Sequence, residues 1–352
     1  MPEISIIIPN YNTGNYISRC LDSLIKQTFQ DIEMIVIDDG STDNSVEVIK
    51  GYQDSRIKLL HHQGDGSGPG GARNIGLDQA TGKYIMFCDS DDWYEPNMCQ
   101  KMYDTIQNQK VDVVCCQYCY AIEEGLSKAE MKYRQVKNSS KSGKFILTDQ
   151  QVKKTDVLLW NKIWRRDIIE KYRIRFIPKN EHDDNAFWYM YGAVSSMIYY
   201  LKDTLYHYFL RKNSIMSAVF QKKPKNPNDR FYVCLEVFNF LKENKIVNQH
   251  KQLIFKIFKN QMNGVASFLS LETLKNQCCE LNNLVKNNIK TTKYMIVGKD
   301  GFFWVGKFAK LKFRLELGWA YIRKWVYMLM KKEKYKKYEK LIGQINTVLK
   351  MI

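Results

Sequence analysis

Long apolar runs are missing from this chain of 352 residues. No stretch of about eighteen uncharged apolar residues occurs, which excludes an ordinary membrane-spanning helix. The most apolar segment, 301–330, is interrupted by Lys307, Lys310, Lys312, Arg314, Glu316, Arg323 and Lys324. Acids are scarce beside bases: 37 Asp and Glu stand against 54 Lys and Arg, a formal net charge of +17. Cysteine is too irregular for the disulfide framework of a small secreted domain, being odd in number at nine and including the adjacent pairs Cys115-Cys116 and Cys278-Cys279. A reducing compartment is expected instead. Cys116-Gln-Tyr-Cys119 has CxxC spacing, but no second pair completes a zinc set. Val111–Tyr120 reads as a buried strand, so core cysteines are expected there. The start, Met1-Pro2-Glu3, lacks a basic region followed by a cleavable apolar stretch, so export is not expected. There is no internal repeat.

What is present is the composition of a packed globular protein, with 45% apolar and 26% charged residues. At this length one large α/β domain with an appendage is expected. The first 120 residues alternate between short β-rich runs and segments of helical period, the pattern of a parallel sheet wrapped by helices. Ser5–Ile8 ends at Pro9, and Tyr16, Ile17, Cys20, Leu21, Leu24 and Ile25 then line one helix face. Met34–Ile37 is a second strand, closed by Asp38-Asp39-Gly40-Ser41 and followed by a helix with Val46, Ile49 and Tyr52. A third strand near Ile57–Leu60 leads to a glycine-rich loop, Gly64–Gly71, and a short helix closed near Gly82. Tyr84–Cys88 is a fourth strand ending at Asp89-Ser90-Asp91-Asp92, after which Pro96 starts a helix with Cys99, Met102, Tyr103 and Ile106 inward. Composition turns polar over 121–154, read as a loop or insertion. Lys222–Pro227 reads as a linker, and the periodicity beyond it is helical to the end.

Chemistry is concentrated at the strand ends, where ligands bind in open α/β sheets. Asp89 and Asp91, two residues apart after an apolar strand, suit one hard divalent cation and leave positions for phosphate oxygens. Strand-end acids also start turns and cap helices, as Asp92 would. Asp39 offers a carboxylate to a nucleobase N–H or a ribose hydroxyl, although Asp-Gly-Ser is equally ordinary turn chemistry. Gly66-Ser-Gly68-Pro-Gly-Gly71 fits GxGxxG formally, but it follows the third strand rather than the first. Arg73, one turn into the following helix, is placed to reach a phosphate.

Taken together, Ser5–Asn12 (SIIIPNYN), Ser23–Phe29 (SLIKQTF), Asp38–Ser45 (DDGSTDNS), Gly71–Leu77 (GARNIGL) and Phe87–Asp92 (FCDSDD) resemble, in order and spacing, the family-2 glycosyltransferases of GT-A fold. The resemblance covers about the first 110 residues, with weaker echoes to Ser217. It implies a mostly parallel α/β sheet flanked by helices, with a helical C-terminal appendage. A catalytic domain would span 1–221, its nucleotide-sugar half 1–120 and its acceptor half 121–221, before a helical region at 222–352. By the same resemblance Asp39 binds the nucleobase, Asp89 and Asp91 bind ribose and a divalent metal (Mn or Mg), and Pro9, Tyr11 and Asn12 contact the nucleoside. Asp183-Asp184-Asn-Ala-Phe187 resembles the family's Glu-Asp-x-x-Phe motif, which makes Asp184 the expected base, with Asp in place of the first Glu and with Glu181 and His182 nearby. Asn161–Arg166 and Tyr208–Ser217 resemble two further segments, and Arg211 is expected to steady the diphosphate. The reaction implied is inverting transfer of a hexose or N-acetylhexosamine, with UDP the nucleotide most frequent in the family. The acceptor implied is lipid-linked or a polysaccharide of the bacterial surface.

Residues 299–352 carry fourteen Lys and Arg against four acids, about +10 of the total charge, interleaved with Phe302, Phe303, Trp304, Phe308, Phe313, Trp319 and Trp325. Such a segment suits a helix in the headgroup region of an anionic membrane, and equally a basic appendage packed on protein. Location in the cytoplasm, peripheral to the inner membrane face, is the corresponding expectation. A nucleotidyltransferase would share the strand-end acids, but Ile8–Gly14 lacks the basic phosphate-gripping loop. Nucleic-acid binding has only charge in its favour, with no recognisable module, so no nucleic-acid partner is expected.

Overall fold

The computed structural model describes residues 1–62, 68–122, 142–211, 226–264, 268–289, 294–298 and 301–305. The chain divides into two compact units, 1–270 and 271–352. In the first unit, β1 (Ile4–Asn10), β2 (Ile32–Asp38), β3 (Ile57–His61) and β4 (Tyr84–Phe87) are parallel, with β1 central between β2 and β4. Strand β1 is rich in isoleucine because both of its faces are covered: Ile4, Ile6, Ile7 and Ile8 have no exposed surface. Each such side chain contributes roughly 1.5–3 kcal/mol on burial. One face packs under α1 (Ile17–Ile25) through Ile17, Cys20, Leu21 and Leu24, and under α4 (Met98–Gln109) through Met98, Cys99, Met102 and Ile106. Helix α2 (Ser45–Lys50) lies between β2 and β3 in sequence, and α3 (Gly68–Gln79) between β3 and β4. On the opposite face α3 lies so close that a Cβ on Gly76 would meet Ile7 Cγ2 at 2.4 Å.

Among the described residues nine strands form the main sheet, in the order β3-β2-β1-β4, then β8 (Lys162–Arg165), β6 (Val113–Ile122), β9 (Met197–Leu210) and β5 (Trp93–Tyr94), with β7 (Gly143–Ile146) paired to β9. Strand β8 runs antiparallel between β4 and β6, and the long β9 runs parallel to β6. Strands β5 and β7 add antiparallel edges to β9. This is the mostly parallel, helix-flanked GT-A arrangement expected.

The polar stretch 121–154 is only partly a loop. It holds the end of β6, all of β7 and α5 (Asp149–Lys154), capped by Thr148, whose side chain accepts from Gln151 N; residues 123–141 lie outside the described set. Helix α6 (Arg166–Lys171) precedes α7 (Asp183–Val194). Phe187 of α7 stacks on Phe176 at 4.3 Å and meets Phe87 of β4 edge-on at 5.8 Å, which sets the start of α7 beside the end of β4. Helices α8 (Asp229–Glu243) and α9 (Lys251–Asn263) lie within unit 1–270, α8 packing on α7 and α9 on α8 and α5. The expected linker at 222–227 and the helical period beyond it group them instead with the C-terminal region.

The second unit contains α10 (Leu271–Asn288) and an antiparallel hairpin of β10 (Tyr294–Gly298) and β11 (Gly301–Val305). The periodicity predicts helix at that hairpin. The β-rich runs Tyr294–Val297 and Phe302–Val305, each bounded by glycine, carry strand propensity that outweighs the period. The expected linker Lys222–Pro227 lies mostly outside the described residues, as does the basic tail from 306 onward.

Candidate active site

Register places the rim acids together. Asn10 lies opposite Asp38, and Ile7 lies opposite Phe87. Asp39 and Asp89 therefore leave the sheet at one carboxyl rim, on either side of β1, on the order of 10 Å apart for strands about 4.8 Å apart.

At the first of these acids, the loop 38–45 is built by hydrogen bonds from the loop after β1. The buried Asn10 donates to Asp38 Oδ1 (2.7 Å) and Ser41 Oγ (3.2 Å). Asn12, at φ 52°, donates through its backbone to Ser41 Oγ (2.9 Å) and accepts from Thr42 N (2.8 Å). Asn12 is thus a brace of the loop, in a left-handed conformation that Asn tolerates. Asp39 is half-buried and its Oδ1 lies 2.9 Å from His62 Nδ1, an orienting partner that the sequence did not single out. Pro9 is half-buried in β1, and Tyr11 is 58% exposed at the mouth.

Around β4 the acids are paired with cations. Arg73, expected to reach a phosphate, is instead buried: Nη2 donates to Asp89 Oδ1 (2.8 Å) and Nη1 to Asp183 Oδ2 (3.4 Å). Burial disfavours its charge, but Asp89 and Asp183 outweigh that and hold it above the ordinary arginine range. A Cβ on Gly70 would stand 2.4 Å from Asp183 Oδ2, so α3 presents a bare turn where Asp183 docks. Asp91 Oδ2 accepts from Arg211 Nε (2.6 Å), and the Asp91 carbonyl accepts from Arg19 Nη2 (2.8 Å). Arg19 lies 4.0 Å from the ring centres of both Trp93 and Phe209. Burial raises the Asp91 carboxyl above its usual range, with Arg211 opposing.

Asp92 is no helix cap. Its buried carboxylate accepts from Tyr206 Oη (2.5 Å) and Phe209 N (2.7 Å), pinning β9 to the rim loop, and its carboxyl is pushed well up by burial and then by Asp91 and Asp89. Cys116 is buried and Cys119 half-buried, and neither belongs to a metal set among the described residues.

At the start of α7, Asp183 is buried, which raises its carboxyl to about 7 against the opposing pull of Arg73. The half-buried Asp184 accepts at Oδ1 from Asn185 N (2.7 Å) and Nδ2 (2.8 Å). Its carboxyl is also raised by burial. His182 is driven down to about 4 by burial and then by Arg230, so its imidazole is neutral at pH 7. Glu181 donates its backbone N–H to Asp229 Oδ2 (2.8 Å).

A GT-A sheet with acids along its carboxyl rim, and a second acidic pair tied to that rim by one buried arginine, defines the class: a glycosyltransferase. The chain belongs to glycosyl transferase family 2, whose profile, described as "Glycosyl transferase family 2", matches residues 5–180. It is 32% identical over 258 residues to a putative glycosyltransferase, EpsH, of Bacillus subtilis, covering 71% of this chain and 72% of that one. Among solved structures it resembles residues 1–349 of Staphylococcus aureus TarS in complex with UDP, with a TM-score of 0.63, 22% identity and 81% of each chain covered. It also resembles the mannosyltransferase PcManGT of Pyrobaculum calidifontis in complex with GDP-Man and Mn2+, with a TM-score of 0.50, 14% identity and 81% of each chain covered. No helix among the described residues is long and apolar enough to cross a membrane.

Proposed function

We propose that this glycosyltransferase moves a hexose or N-acetylhexosamine, with inversion, from a UDP-linked donor to a hydroxyl of a lipid-linked or polysaccharide acceptor in bacterial surface glycan synthesis. The observation that carries the reading is the Asp89–Arg73–Asp183 bridge, which ties the donor rim to the acidic pair at the start of α7. The UDP bound in TarS supports the choice of nucleotide.

Asp39, oriented by His62, receives a nucleobase N–H, while Tyr11 lies open beside it and Pro9 and Asn12 shape the loop. The donor set at β4 fits a divalent cation: Asp89 and Asp91 are hard carboxylates, 28% and 20% exposed at the rim. Such ions commonly bind through one or two carboxylates, with substrate phosphates and waters completing the shell. When bound by Asp91 with Asp89, Mn or Mg would neutralise the diphosphate leaving group. Arg211, paired with Asp91 at the rim, would steady the same phosphates. Asp184, ionised, removes the acceptor proton as the oxygen attacks the anomeric carbon from the face opposite the nucleotide. The reaction takes place on the cytoplasmic side, with the basic segment 299–352 against the inner membrane face.

A thermal-shift panel of nucleotide-sugars with Mn or Mg tests the donor. UDP-sugars are expected to stabilise the wild type only with metal, and Asp91→Asn is expected to lose that effect. Asp184→Asn should keep donor binding and lose about 10²–10⁴-fold in turnover. A fully active Asp184→Asn enzyme removes the base assignment.

A further inference from the structure

The Asp183-Asp184 segment is clamped by helices beyond the family match at 5–180. At the start of α8 the buried Asp229 accepts from Glu181 N (2.8 Å) and Asn226 Nδ2 (2.7 Å), and its carbonyl accepts from Asn180 Nδ2 (2.9 Å). The next residue, Arg230, donates from Nη1 to Gln261 Oε1 (3.2 Å) in the last turn of α9. Gln261 is 2% exposed and donates from Nε2 to Asn185 Oδ1 (3.1 Å). Asn185 in turn donates from Nδ2 to Asp184 Oδ1 (2.8 Å).

This relay has a fixed direction. Arginine only donates and a carboxylate only accepts, so the two amides between them can each point one way. Gly264 leaves the room required, since a Cβ there would lie 2.8 Å from Cζ and Nε of Arg230. The guanidinium thus sits at the carbonyl end of α9, where a cation is favoured.

We propose that Arg230 and Gln261 are positioning residues for the transfer reaction, holding the Asp184 carboxylate through Asn185 and making α8 and α9 part of the catalytic machinery. The inference rests on Asp184 as base. Among the described residues, four charged or titratable groups face Asp184: Asp183 and Tyr189 on its own helix, Arg73 from α3 and Arg230 from α8. Burial raises the Asp184 carboxyl, while the Asn185 hydrogen bonds, Arg73 and Arg230 oppose it. Loss of the Arg230 charge therefore moves Asp184 titration to higher pH.

The test uses the full chain with 13C-carboxyl-labelled aspartate, the Asp184 signal being assigned by its loss in Asp184→Asn. Titration is read beside the pH dependence of UDP release from UDP-N-acetylglucosamine with Mn. In Arg230→Gln the Asp184 titration and the acid limb of kcat should move upward together, with donor KM unchanged. Turnover at a fixed pH on that limb should fall about tenfold for each pH unit by which the limb moves. Arg230→Lys should restore the position of the limb. Gln261→Leu, which keeps the cation but cuts the relay, should lower kcat several-fold at all pH values without moving KM, and it carries the test should Arg230→Gln not fold. A folded Arg230→Gln with wild-type titration and acid limb, beside an inactive Asp184→Asn, overturns this inference alone. Full turnover in Asp184→Asn overturns the base reading and this inference with it.

Discussion

At Arg73 a guanidinium that is 7% exposed lies between two carboxylates, with Nε lacking a hydrogen-bond partner. The geometry makes it a clamp rather than a ligand: its charge is already committed to Asp89 and Asp183. Replacement by Met leaves both acids without their cation in a poorly solvated setting, and breaking such a pair costs about 3–5 kcal/mol. The loss depends on pH through Asp183, whose folded carboxyl titrates near 7, above its ordinary 3.8. As pH rises from about 4 to 7 the unfolded chain's Asp183 ionises while the folded one stays neutral, which costs stability, and below about 7 the folded neutral acid needs no cation. Urea unfolding of Arg73→Met should show a larger deficit at pH 8 than at pH 5. An equal deficit at both would mean that Arg73 does not serve to balance Asp183. The sequence placed Arg73 one turn into a helix, and the helix is found there. What spacing does not contain is the acid 110 residues away that captures it.

The elements that carry the rim were legible because β1, β2 and β4 are buried on both faces, so their sequences are largely apolar runs, β2 and β4 leading into acids. At the other end of the same strands, Glu33 joins them: it accepts from Ser5 Oγ (2.5 Å), Lys58 Nζ (2.6 Å) and Thr81 N (2.8 Å). Burial pushes its carboxyl up, but Lys58, Ser5 and Thr81 pull it down to about 2, below the ordinary 4.5. The resulting stability is fully present above about pH 4.5 and is lost as pH falls toward 2. Glu33→Gln should be less stable than wild type at pH 7 by on the order of 2 kcal/mol, with the gap closing in acid unfolding curves; a constant gap would contradict the ionised network. Elements defined by distant partners were not legible. Strand β7 is short and exists because β9 offers it an edge, and Asp92 finds Tyr206 at a separation of 114 residues. Helices α8 and α9 read as appendage because a linker-like segment precedes them and helical periodicity runs from there to the end, whereas their packing belongs to α7 and α5.

Across the whole molecule, charge is unevenly divided. The rim gathers acids, while 299–352 concentrates about +10 of the net +17 in one basic, aromatic segment. Its acids are too few for internal pairing, so its natural counter-charge is external, and an anionic leaflet supplies about 1 kcal/mol for each Lys or Arg near its surface. Reversing Lys331, Lys332, Lys334, Lys336 and Lys337 to Glu should therefore weaken co-sedimentation with phosphatidylserine-containing vesicles by about a hundredfold or more. Binding to neutral phosphatidylcholine vesicles should change little, and UDP-induced thermal shifts should stay at wild-type values. Raising salt should weaken the wild type toward the variant, because surface charge is screened within about 8 Å at physiological ionic strength. If the reversed chain still sediments with anionic vesicles like the wild type, the segment's charge does not drive vesicle binding, and its aromatic residues or another surface must be tested in its place.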